Sequence, residues 1–395
     1  MRKLLITLLA GSFLVACGGP AGPGGPGGDL SIKQVYTGLD TSFALLDDGR
    51  VLSWGRNSYG TLGNGTELTG GNTPSLIPGL TDVQSLAVAR FAVFARTDSG
   101  AWYAWGNTSS LGHEVQADPN GVYSPQLVRD LGDTELHGGM FDFFLSHEAS
   151  GEVRGWGFNY DGQATGVPTR GVSSAQLTPA TVPLDGLGVK LLSPVDLYSI
   201  AVMADDSLRF WGDASYGTGA DVSGLQGVVT IQPGLPVDRT IEQIAGAHAH
   251  VVVLLDDGSL WAWGRNFYGQ FGDPELPGGA AAAELTAFPR EPIRQLTATS
   301  SGTVVLYEDG SVWRSGVITP GRMEGFTVIE EPIVAYEAEK VEGLPPIVQL
   351  ATNGSEHVLA LAEDGQLWAW GGNAHGQLGN GSTTDSATPV RVGGF

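Results

Sequence analysis

Two histidines and two pairs of adjacent acids are the residues of this sequence whose spacing could do chemistry. His248 and His250 stand two apart in an apolar segment, so in a strand their side chains would share one face and could both reach a metal ion. However, His250 and His357 each lie eight residues before a glycine of a predicted turn. We therefore interpret them as one recurring structural position and predict no metal site.

The acidic pairs Asp47-Asp48 and Asp256-Asp257 could serve as calcium ligands or as a general acid and base. Each pair comes directly before a glycine and between two apolar segments, which is the pattern of a β-hairpin. Aspartate and glycine favour tight turns because they tolerate the backbone conformations that such turns require. We interpret both pairs as turn residues.

The sequence lacks the motifs of familiar catalytic sites. His113-Glu114 and His147-Glu148 have no second histidine of the kind that a zinc-protease helix needs, and no glycine-flanked serine nucleophile or phosphate-binding loop is found. Cys17 is the single cysteine, so it has no partner for a disulfide within the chain. We predict a protein that is not an enzyme and uses no cofactor.

The amino terminus has the organisation of an export signal. Arg2 and Lys3 precede a run of apolar or small residues, 4–16, which is too short to span a bilayer. The run ends in Leu14-Val15-Ala16-Cys17, which resembles the lipobox of bacterial lipoprotein signal peptides. The resemblance implies that Cys17 is acylated and anchors the protein to a membrane. An ordinary secretory signal that happens to contain Cys17 is the alternative.

Three segments follow from this organisation. Residues 1–16 are the predicted lipoprotein signal peptide, residues 17–29 are the lipidated cysteine and a Gly/Pro-rich spacer, and residues 30–395 form the folded domain. The spacer has no apolar periodicity and cannot form a core. Gly18 is not the aspartate that retains enteric lipoproteins at the inner membrane, which favours the outer membrane or the cell surface.

Composition excludes several classes of function. The chain has 60 glycines, 22 prolines and 10 tryptophans with 16% charged residues, which is typical of many short strands and tight turns and unlike a helical bundle. Twenty basic against 42 acidic residues give a net charge of −22, which would repel a phosphate backbone. We therefore expect no nucleic-acid partner.

A repeat organises the folded domain. The best copies run over residues 254–272 and 361–379, and they share an Asp-Gly step, a Trp-Gly step and an Asn-x-x-Gly-Gln-x-Gly tail. The residue before the glycine of the second step marks seven copies at intervals of 51 to 55 residues: Trp54, Trp105, Trp156, Trp211, Trp263, Ser315 and Trp370. Serine thus replaces the tryptophan in the sixth copy.

Each copy predicts four antiparallel strands. Residues 251–255 and 259–263 flank an Asp-Gly step and predict a hairpin with a two-residue type I′ turn. A short apolar segment such as 241–245 lies upstream of the hairpin, and a proline-containing segment such as 73–78 lies upstream of that. The sequence therefore predicts an all-β fold, a seven-bladed β-propeller of four-stranded blades.

This pattern resembles the repeat of the regulator of chromosome condensation family, over residues 30–395. The resemblance implies a propeller that binds proteins, since eukaryotic members bind a small GTPase and chromatin and a secreted bacterial relative docks on β-lactamase. The second, fourth and sixth copies are eroded: the second lacks the asparagine tail, the fourth has Ala214 for the asparagine, and the sixth loses tryptophan and tail. The loss of these repeat residues affects the binding surface that the resemblance implies for these blades more than it affects their predicted fold.

The two ends of the repeat array predict how the ring closes. Only the spacer precedes the first copy, whereas Thr388-Pro389-Val390-Arg391-Val392 follows the last one. We predict that this C-terminal strand pairs into blade one, because closure would remove exposed sheet edges. Truncation before Pro389 should then be far more damaging than the loss of an ordinary tail.

The tails and one insertion supply the predicted partner-binding residues. Propeller symmetry places equivalent tail positions around one face, and aromatic side chains with a polar tip are favoured at binding hot spots. Insertions at 273–292 and 317–346 depart from the repeat, and the second is acidic. The predicted partner-binding residues are Tyr59, Tyr160, Tyr216, Phe267, Tyr268, His375, Glu330 and Glu331. Packing against the neighbouring blade is the alternative for each aromatic residue.

These observations predict a non-catalytic, monomeric lipoprotein of the bacterial cell envelope that binds an unknown protein through one propeller face. Guanine-nucleotide exchange, which the family resemblance suggests, conflicts with export because it needs a cytoplasmic GTPase. Two alternatives stay open. Three convergent histidine, glutamate or metal-ligand groups in the central mouth would favour an envelope enzyme such as a lyase. Exposed tryptophans outside the marker positions would favour an envelope carbohydrate-binding protein.

Overall fold

The computed structural model describes residues 30–112, 122–129, 131–169, 174–186, 188–213, 227–248, 250–324 and 327–395. The predicted signal peptide, Cys17 and the spacer lie outside these residues. Residues Ser31–Phe395 make up one compact unit, and every described strand lies within it. This unit therefore holds the whole described architecture.

Seven four-stranded antiparallel sheets follow one another along the chain, and we number them as blades one to seven. The first strand of each blade lines a central channel, and the fourth is its outer edge. This confirms the predicted seven-bladed β-propeller. The strands of blades one to four are β1 Ile32–Thr37, β2 Thr41–Leu46, β3 Val51–Gly55, β4 Gly71–Leu76, β5 Val83–Val88, β6 Ala92–Thr97, β7 Trp102–Gly106, β8 Val122–Val128, β9 Thr134–Gly139, β10 Phe143–Glu148, β11 Val153–Phe158, β12 Ala175–Thr181, β13 Val189–Pro194, β14 Tyr198–Met203, β15 Leu208–Gly212 and β16 Val229–Ile231.

Blades five to seven repeat the arrangement, with one addition in blade six. Their strands are β17 Ile241–Gly246, β18 His250–Leu255, β19 Leu260–Gly264, β20 Gly279–Glu284, β21 Ile293–Thr299, β22 Gly302–Tyr307, β23 Val312–Thr319, β26 Ile333–Lys340, β27 Ile347–Ala351, β28 His357–Ala362, β29 Leu367–Gly371 and β30 Ser386–Arg391. Between β23 and β26, β24 Arg322–Glu324 and β25 Thr327–Glu330 form a small separate hairpin.

Helices are short in the described residues. One turn of 3-10 helix covers Ser58–Gly60, and one α-helical turn covers Thr108–Leu111. No helix in the described part of the chain has the length and apolar character needed to span a bilayer.

The predicted hairpins form, but their turn type differs from the prediction. In blade five, Gly258 adopts φ 79°, and the Asp257 carboxylate accepts hydrogen bonds from Ser259 N and Oγ at 3.0 and 2.6 Å. Asp257 itself has no positive φ, so the loop is a three-residue turn rather than the predicted type I′ turn. In blade four, Asp206 takes the glycine position with φ 62°, a conformation that aspartate tolerates.

The prediction for the C-terminal strand is wrong. β30, which contains Pro389, pairs with β29 and is the outer strand of blade seven, while blade one already has its own outer strand, β4. The proline-containing segment is therefore the last strand of its own repeat, and the predicted repeat was out of phase by one strand. Proline has no backbone N–H and cannot donate a hydrogen bond to a neighbouring strand. It suits an outer edge strand because some of the N–H groups of such a strand face solvent.

The two predicted insertions consist partly of ordinary blade strands. Residues 273–292 include β20, the outer strand of blade five, and residues 317–346 include β26, the outer strand of blade six. What blade six adds is the β24–β25 hairpin. The consensus did not reveal β20 and β26 because neither contains the proline that marks β4 and β30.

Side chains, not a shared strand, close the ring between blades seven and one. Ser42 Oγ and Trp54 Nε1 of blade one donate to the Gln377 carbonyl of blade seven at 2.7 and 2.9 Å. Asn72 Nδ2 donates to the Gly381 carbonyl at 2.8 Å, and Gly381 N donates back to the Asn72 carbonyl at 2.9 Å. The termini are therefore tied together by contacts that resemble those between other blades.

Candidate functional site

The alternation of strand direction gives the propeller two faces. The hairpins between second and third strands and the links between blades lie on one, which we call the hairpin face. The turns between first and second strands (inner turns) and the loops between third and fourth strands (tail loops) lie on the other, the tail face. Most of the predicted partner-binding residues belong to tail loops.

A buried asparagine shapes each intact tail loop. Asn57 Oδ1 accepts a hydrogen bond from Leu62 N at 2.9 Å, and its Nδ2 donates to the carbonyls of Thr66 and Thr69 at 3.0 and 3.3 Å. An asparagine accepts from the N–H five residues on and donates to later carbonyls in three further blades: Asn159, Asn266 and Asn373. The asparagine of the repeat is thus a structural anchor, and it holds the residue two positions later at the loop surface.

The structure places the described members of the predicted partner-binding set at the surface. Tyr59, Tyr160, Phe267 and Tyr268 are 42, 45, 79 and 43% exposed, and His375, Glu330 and Glu331 are exposed too. Tyr216 lies outside the described residues. The described members belong to the loops between third and fourth strands of blades one, three, five, six and seven.

The tail loops also lock each blade to the next. The Thr61 carbonyl accepts from Trp105 Nε1 at 2.7 Å, and the Gln163 carbonyl accepts from Ser199 Oγ at 2.8 Å. In blade six, Ser315 Oγ donates at 2.9 Å to the Gln270 carbonyl of blade five. Ser315 thereby makes the hydrogen bond that the marker tryptophan makes in blades one and two, which explains why blade six tolerates its loss.

The buried histidines take part in these hydrogen bonds between neighbouring blades. Ser42 Oγ donates to the Gln377 carbonyl, so it accepts from His357 Nε2, which lies 2.8 Å away. His250 Nε2 lies 3.2 Å from Thr303 Oγ1 in the same arrangement. Burial lowers the pKa of His250 to about 3 and the pKa of His357 to about 4. Their equivalent roles match the interpretation of a recurring structural position.

A continuous band of arginine and aromatic side chains crosses the tail face from blade one to blade three. The rings of Tyr59 and Phe91 are 5.3 Å apart, and Arg90 lies 4.8 Å from the Phe91 ring centre and 5.1 Å from that of Phe141. Phe141 continues to Phe158 at 5.5 Å. We call this band the arginine–aromatic ridge: Arg56, Tyr59, Arg90, Phe91, Phe141 and Phe158.

Two acids hold the ridge in place. Arg56 Nη1 lies 3.2 Å from Asp40 Oδ2, which neutralises its charge, and its guanidinium lies 5.5 Å from the Phe91 ring. Asp142 is buried and accepts hydrogen bonds from Phe91 N at 2.7 Å and from Asn107 Nδ2 at 3.0 Å. Burial raises the pKa of Asp142, partly offset by these hydrogen bonds. The inner turns of blades two and three are therefore fixed to each other.

Most of the ridge was not predicted from the sequence. Of its six residues only Tyr59 was predicted, because the other five lie outside the tail positions that the repeat makes equivalent. Phe91 and Phe141 lie in inner turns of three residues, where bulky aromatic side chains are unusual because turns favour small or polar residues. An aromatic residue in such a turn is the sequence feature that could have indicated the ridge.

The central channel has a volume of about 340 Å³ and is closed in part by blade seven. Asn353, in the inner turn of blade seven, donates to the carbonyls of Val88 at 2.8 Å and Gly138 at 3.2 Å, across the channel mouth. Asp196 and His248 contact each other on neighbouring inner turns. The described residues contain no group of three histidine, cysteine, aspartate or glutamate side chains placed to hold a metal ion.

The alternatives from the sequence each required a specific feature. Three convergent groups at the channel mouth would favour an envelope enzyme, and the described residues do not bring such a group together. All ten tryptophans lie in the described residues and none is exposed, so the feature that would favour a carbohydrate scaffold is not found either.

Comparison with protein families identifies the repeat. Models described as "Regulator of chromosome condensation (RCC1) repeat" match residues 32–61, 241–270 and 347–377, and residues 48–95 and 364–395. These matches fall in blades one, two, five and seven. The matched tails of blades five and seven contain both the asparagine and the glutamine of the repeat, whereas blade one has Thr61 at the glutamine position.

Two relatives illustrate the range of proteins that the chain resembles. The ultraviolet-B receptor UVR8 of Arabidopsis thaliana is 26% identical over 374 residues, which cover 90% of this chain and 80% of the receptor. The E3 ubiquitin-protein ligase HERC2 of Homo sapiens is 26% identical over 355 residues, which cover 87% of this chain but 7% of the ligase. The chain thus matches nearly all of one relative and a small part of the other.

Solved structures show the same fold at low sequence identity. Prp20p from Saccharomyces cerevisiae, described with its binding properties to Gsp1p and histones, superposes with a TM-score of 0.73 at 19% identity over 92% of this chain and 88% of that one. Yeast RCC1 (Prp20) bound to Kap60 gives a TM-score of 0.71 at 19% identity, over 92% and 85%. These likenesses support the propeller fold.

Proposed function

We propose that this chain, which matches RCC1 repeat models in four blades and folds as a seven-bladed propeller, is a non-catalytic protein-binding propeller, exported and held at the bacterial cell envelope by a lipid on Cys17. Protein binding is the property that its relatives suggest: Prp20p has binding properties to Gsp1p and histones, and yeast RCC1 is bound to Kap60. The partner is a protein of the envelope or of the cell exterior.

The arginine–aromatic ridge is the observation that carries this proposal. It joins five partly exposed rings and guanidinium groups of three blades to the exposed Tyr59, and hydrogen bonds of Asp142 fix its backbone. Tyrosine and arginine are enriched at binding hot spots: tyrosine buries much area with few rotatable bonds, and the planar guanidinium of arginine stacks on rings and donates several hydrogen bonds. A rigid surface of this composition loses little conformational entropy when a partner binds.

The charge of the chain argues against carrying over two family properties. A net charge of −22 disfavours chromatin, whose phosphates are anionic. Nucleotide exchange on a cytoplasmic GTPase is incompatible with the proposed export. The proposal therefore keeps protein binding and excludes these partners.

Lipid attachment is tested by Cys17→Ser in the full chain. We expect the parent to incorporate a palmitate analogue in bacterial cells and to sediment with membranes, and the variant to do neither, because Cys17 is the single cysteine available for acylation. The readouts are gel fluorescence of the labelled protein and its distribution between membrane and soluble fractions. An unlabelled parent whose mature amino terminus lies elsewhere by mass spectrometry would contradict the lipoprotein assignment.

Binding through the ridge is tested by the double variant Tyr59→Ala/Phe91→Ala in residues 31–395. Removing both rings should cost about 2 kcal/mol or more of binding free energy, which reduces partner capture more than tenfold. The measurement is quantitative mass spectrometry of envelope proteins retained by the immobilised propeller.

The matched control is Phe267→Ala/Tyr268→Ala, which removes two aromatic residues from the tail loop of blade five. We expect this control to retain the partner. Thermal unfolding of both variants must first show intact folds. Equal capture by the parent and by the ridge variant would exclude the ridge as the binding surface, and loss in the control alone would move the site to blade five.

A further inference from the structure

Arg90 lies in surroundings unlike those of the described arginines that pair with an acid. Nine arginines have a carboxylate oxygen within 4.0 Å: Arg50, Arg56, Arg96, Arg154, Arg209, Arg239, Arg290, Arg294 and Arg314. Arg90 has no such contact with any described carboxylate, and its buried Nε has no hydrogen-bond partner among the described residues. Arg90 therefore keeps hydrogen-bonding capacity that the described residues do not use.

The ridge holds the Arg90 guanidinium between two rings. Its centre lies 4.8 Å from the Phe91 ring and 5.1 Å from the Phe141 ring. Cation–π contacts of this kind fix the side chain while leaving the in-plane N–H donors unused. Asp142 is close enough for its charge to interact with that of Arg90, and its two oxygens accept hydrogen bonds from Phe91 N and Asn107 Nδ2. Arg90 is thus positioned before any partner binds.

The neighbouring charges select which anion can bind. A guanidinium presents a planar pair of donors that matches a carboxylate in a bidentate contact. The next cation on the ridge, Arg56, is already paired with Asp40 at 3.2 Å. A single guanidinium that contacts no described carboxylate suits a singly charged group, whereas a phosphate dianion is usually met by several cations.

We propose that Arg90 binds a carboxylate of the partner, supplied by an aspartate or glutamate next to an apolar side chain that packs on Tyr59 and Phe91. This inference rests on the proposed function, since it names the chemistry that the ridge recognises. The apolar neighbour follows from the rings on both sides of the cation, which would exclude water from the ion pair and strengthen it.

The test uses a random peptide library displayed on phage and selected on immobilised residues 31–395. Selected peptides should contain an acidic residue beside an aromatic or aliphatic one, and binding should fall in the Tyr59→Ala/Phe91→Ala variant. A synthetic peptide from the selection and its matched Glu→Gln or Asp→Asn form are then measured by fluorescence anisotropy. The proteins are the parent, Arg90→Gln and Arg90→Lys.

A double-mutant cycle gives the decisive result. We expect Arg90→Gln to raise the Kd of the acidic peptide at least tenfold and to change the Kd of the amide peptide less than twofold. Arg90→Lys should recover part of the loss, because it keeps the charge but not the planar donor pair. Thermal unfolding controls for the fold of each variant.

Three outcomes would overturn the inference. Equal loss for acidic and amide peptides in Arg90→Gln would show that Arg90 packs without pairing, while ridge-dependent binding would still support the proposed function. Displacement of the peptide by inorganic phosphate at concentrations where acetate has no effect would assign the site to a phosphate group. A selection without acidic enrichment would exclude carboxylate recognition, and the capture experiment above would judge the proposed function independently.

Discussion

Truncation of the chain after Asp385 is expected to leave a protein that does not fold cooperatively. It removes β30, and with it the hydrogen bond from Val392 N to the Leu367 carbonyl at 2.9 Å and the buried Val392 side chain. It also removes the Ala387 carbonyl, which accepts from Arg314 Nη1 at 2.8 Å in blade six.

The expected cost approaches the whole stability of the domain. Loss of the outer strand exposes the underlying face of blade seven and breaks the contact of Phe395 with Trp54, whose ring centres are 6.4 Å apart. Each buried apolar side chain lost contributes about 2 kcal/mol, and a domain of this kind has about 5–15 kcal/mol in total.

Urea unfolding followed by tryptophan fluorescence measures this effect. The matched control removes only Gly394 and Phe395, which keeps β30 and should shift the midpoint modestly. A chain ending at Asp385 that retained the parent's unfolding midpoint and slope would contradict the role of β30. The predicted damage is the same as that expected from the sequence, but its cause is the loss of a blade's outer strand rather than an opened ring.

Acidification from pH 7 to pH 4 is expected to destabilise the propeller strongly through His250 and His357. Burial lowers the pKa of these residues to about 3 and about 4, whereas a histidine in an unfolded chain has a pKa of about 6.5. As the pH falls below 6.5 the unfolded state therefore takes up protons first. Stability is fully present above pH 6.5 and is lost progressively down to the folded-state pKa values, on the order of 5 kcal/mol by pH 4.

Two carboxyls with raised pKa values act in the opposite direction. Burial raises the pKa of Asp142, and partial desolvation with the nearby charges of Asp40 and Asp385 raises the pKa of Glu356. The folded state binds protons to these groups first, so they contribute stability as the pH falls. The pH dependence of the parent's free energy of unfolding therefore combines both effects. The contribution of the histidines must be measured by comparing the parent with a histidine variant at each pH.

The comparison is between the parent and His250→Gln/His357→Gln, with His375→Gln as a control at an exposed position. Glutamine can still donate to Ser42 and Thr303 but does not titrate. We expect the free energy of unfolding of the double variant, from urea denaturation, to fall much less between pH 6.5 and pH 4. An unchanged pH dependence in the double variant would show that these two histidines do not control acid stability.

The fold could be predicted from the sequence because the repeat is dense in local signals. A glycine turn, a buried marker and an asparagine tail recur in most blades, and each signal concerns residues that are close in the chain. The phase of the repeat could not be fixed this way. A proline segment between two hairpins can pair with either, and only the observed pairing of β4 with β3 decides which.

The surface was harder to predict than the fold. Tyr59 was found because symmetry pointed to it, but Arg90 and Phe141 lie far apart in the sequence and meet only because their inner turns are neighbours in the ring. The substitution of Ser315 for tryptophan looked like erosion. Its hydroxyl in fact donates to the Gln270 carbonyl, and the marker tryptophan donates to the equivalent carbonyl in blades one and two. A consensus of residue types cannot show this hydrogen bond.

The way the ring closes also determines how the chain can fold. Every blade pairs strands that are neighbours in sequence, so each sheet can form as soon as its own residues are available, and contact order within a blade is low. The lock between Ser42 and His357, 315 residues apart, is different because it needs both ends of the array. Forming the contacts between blades seven and one, rather than pairing strands within a blade, is the step we expect to set the folding rate.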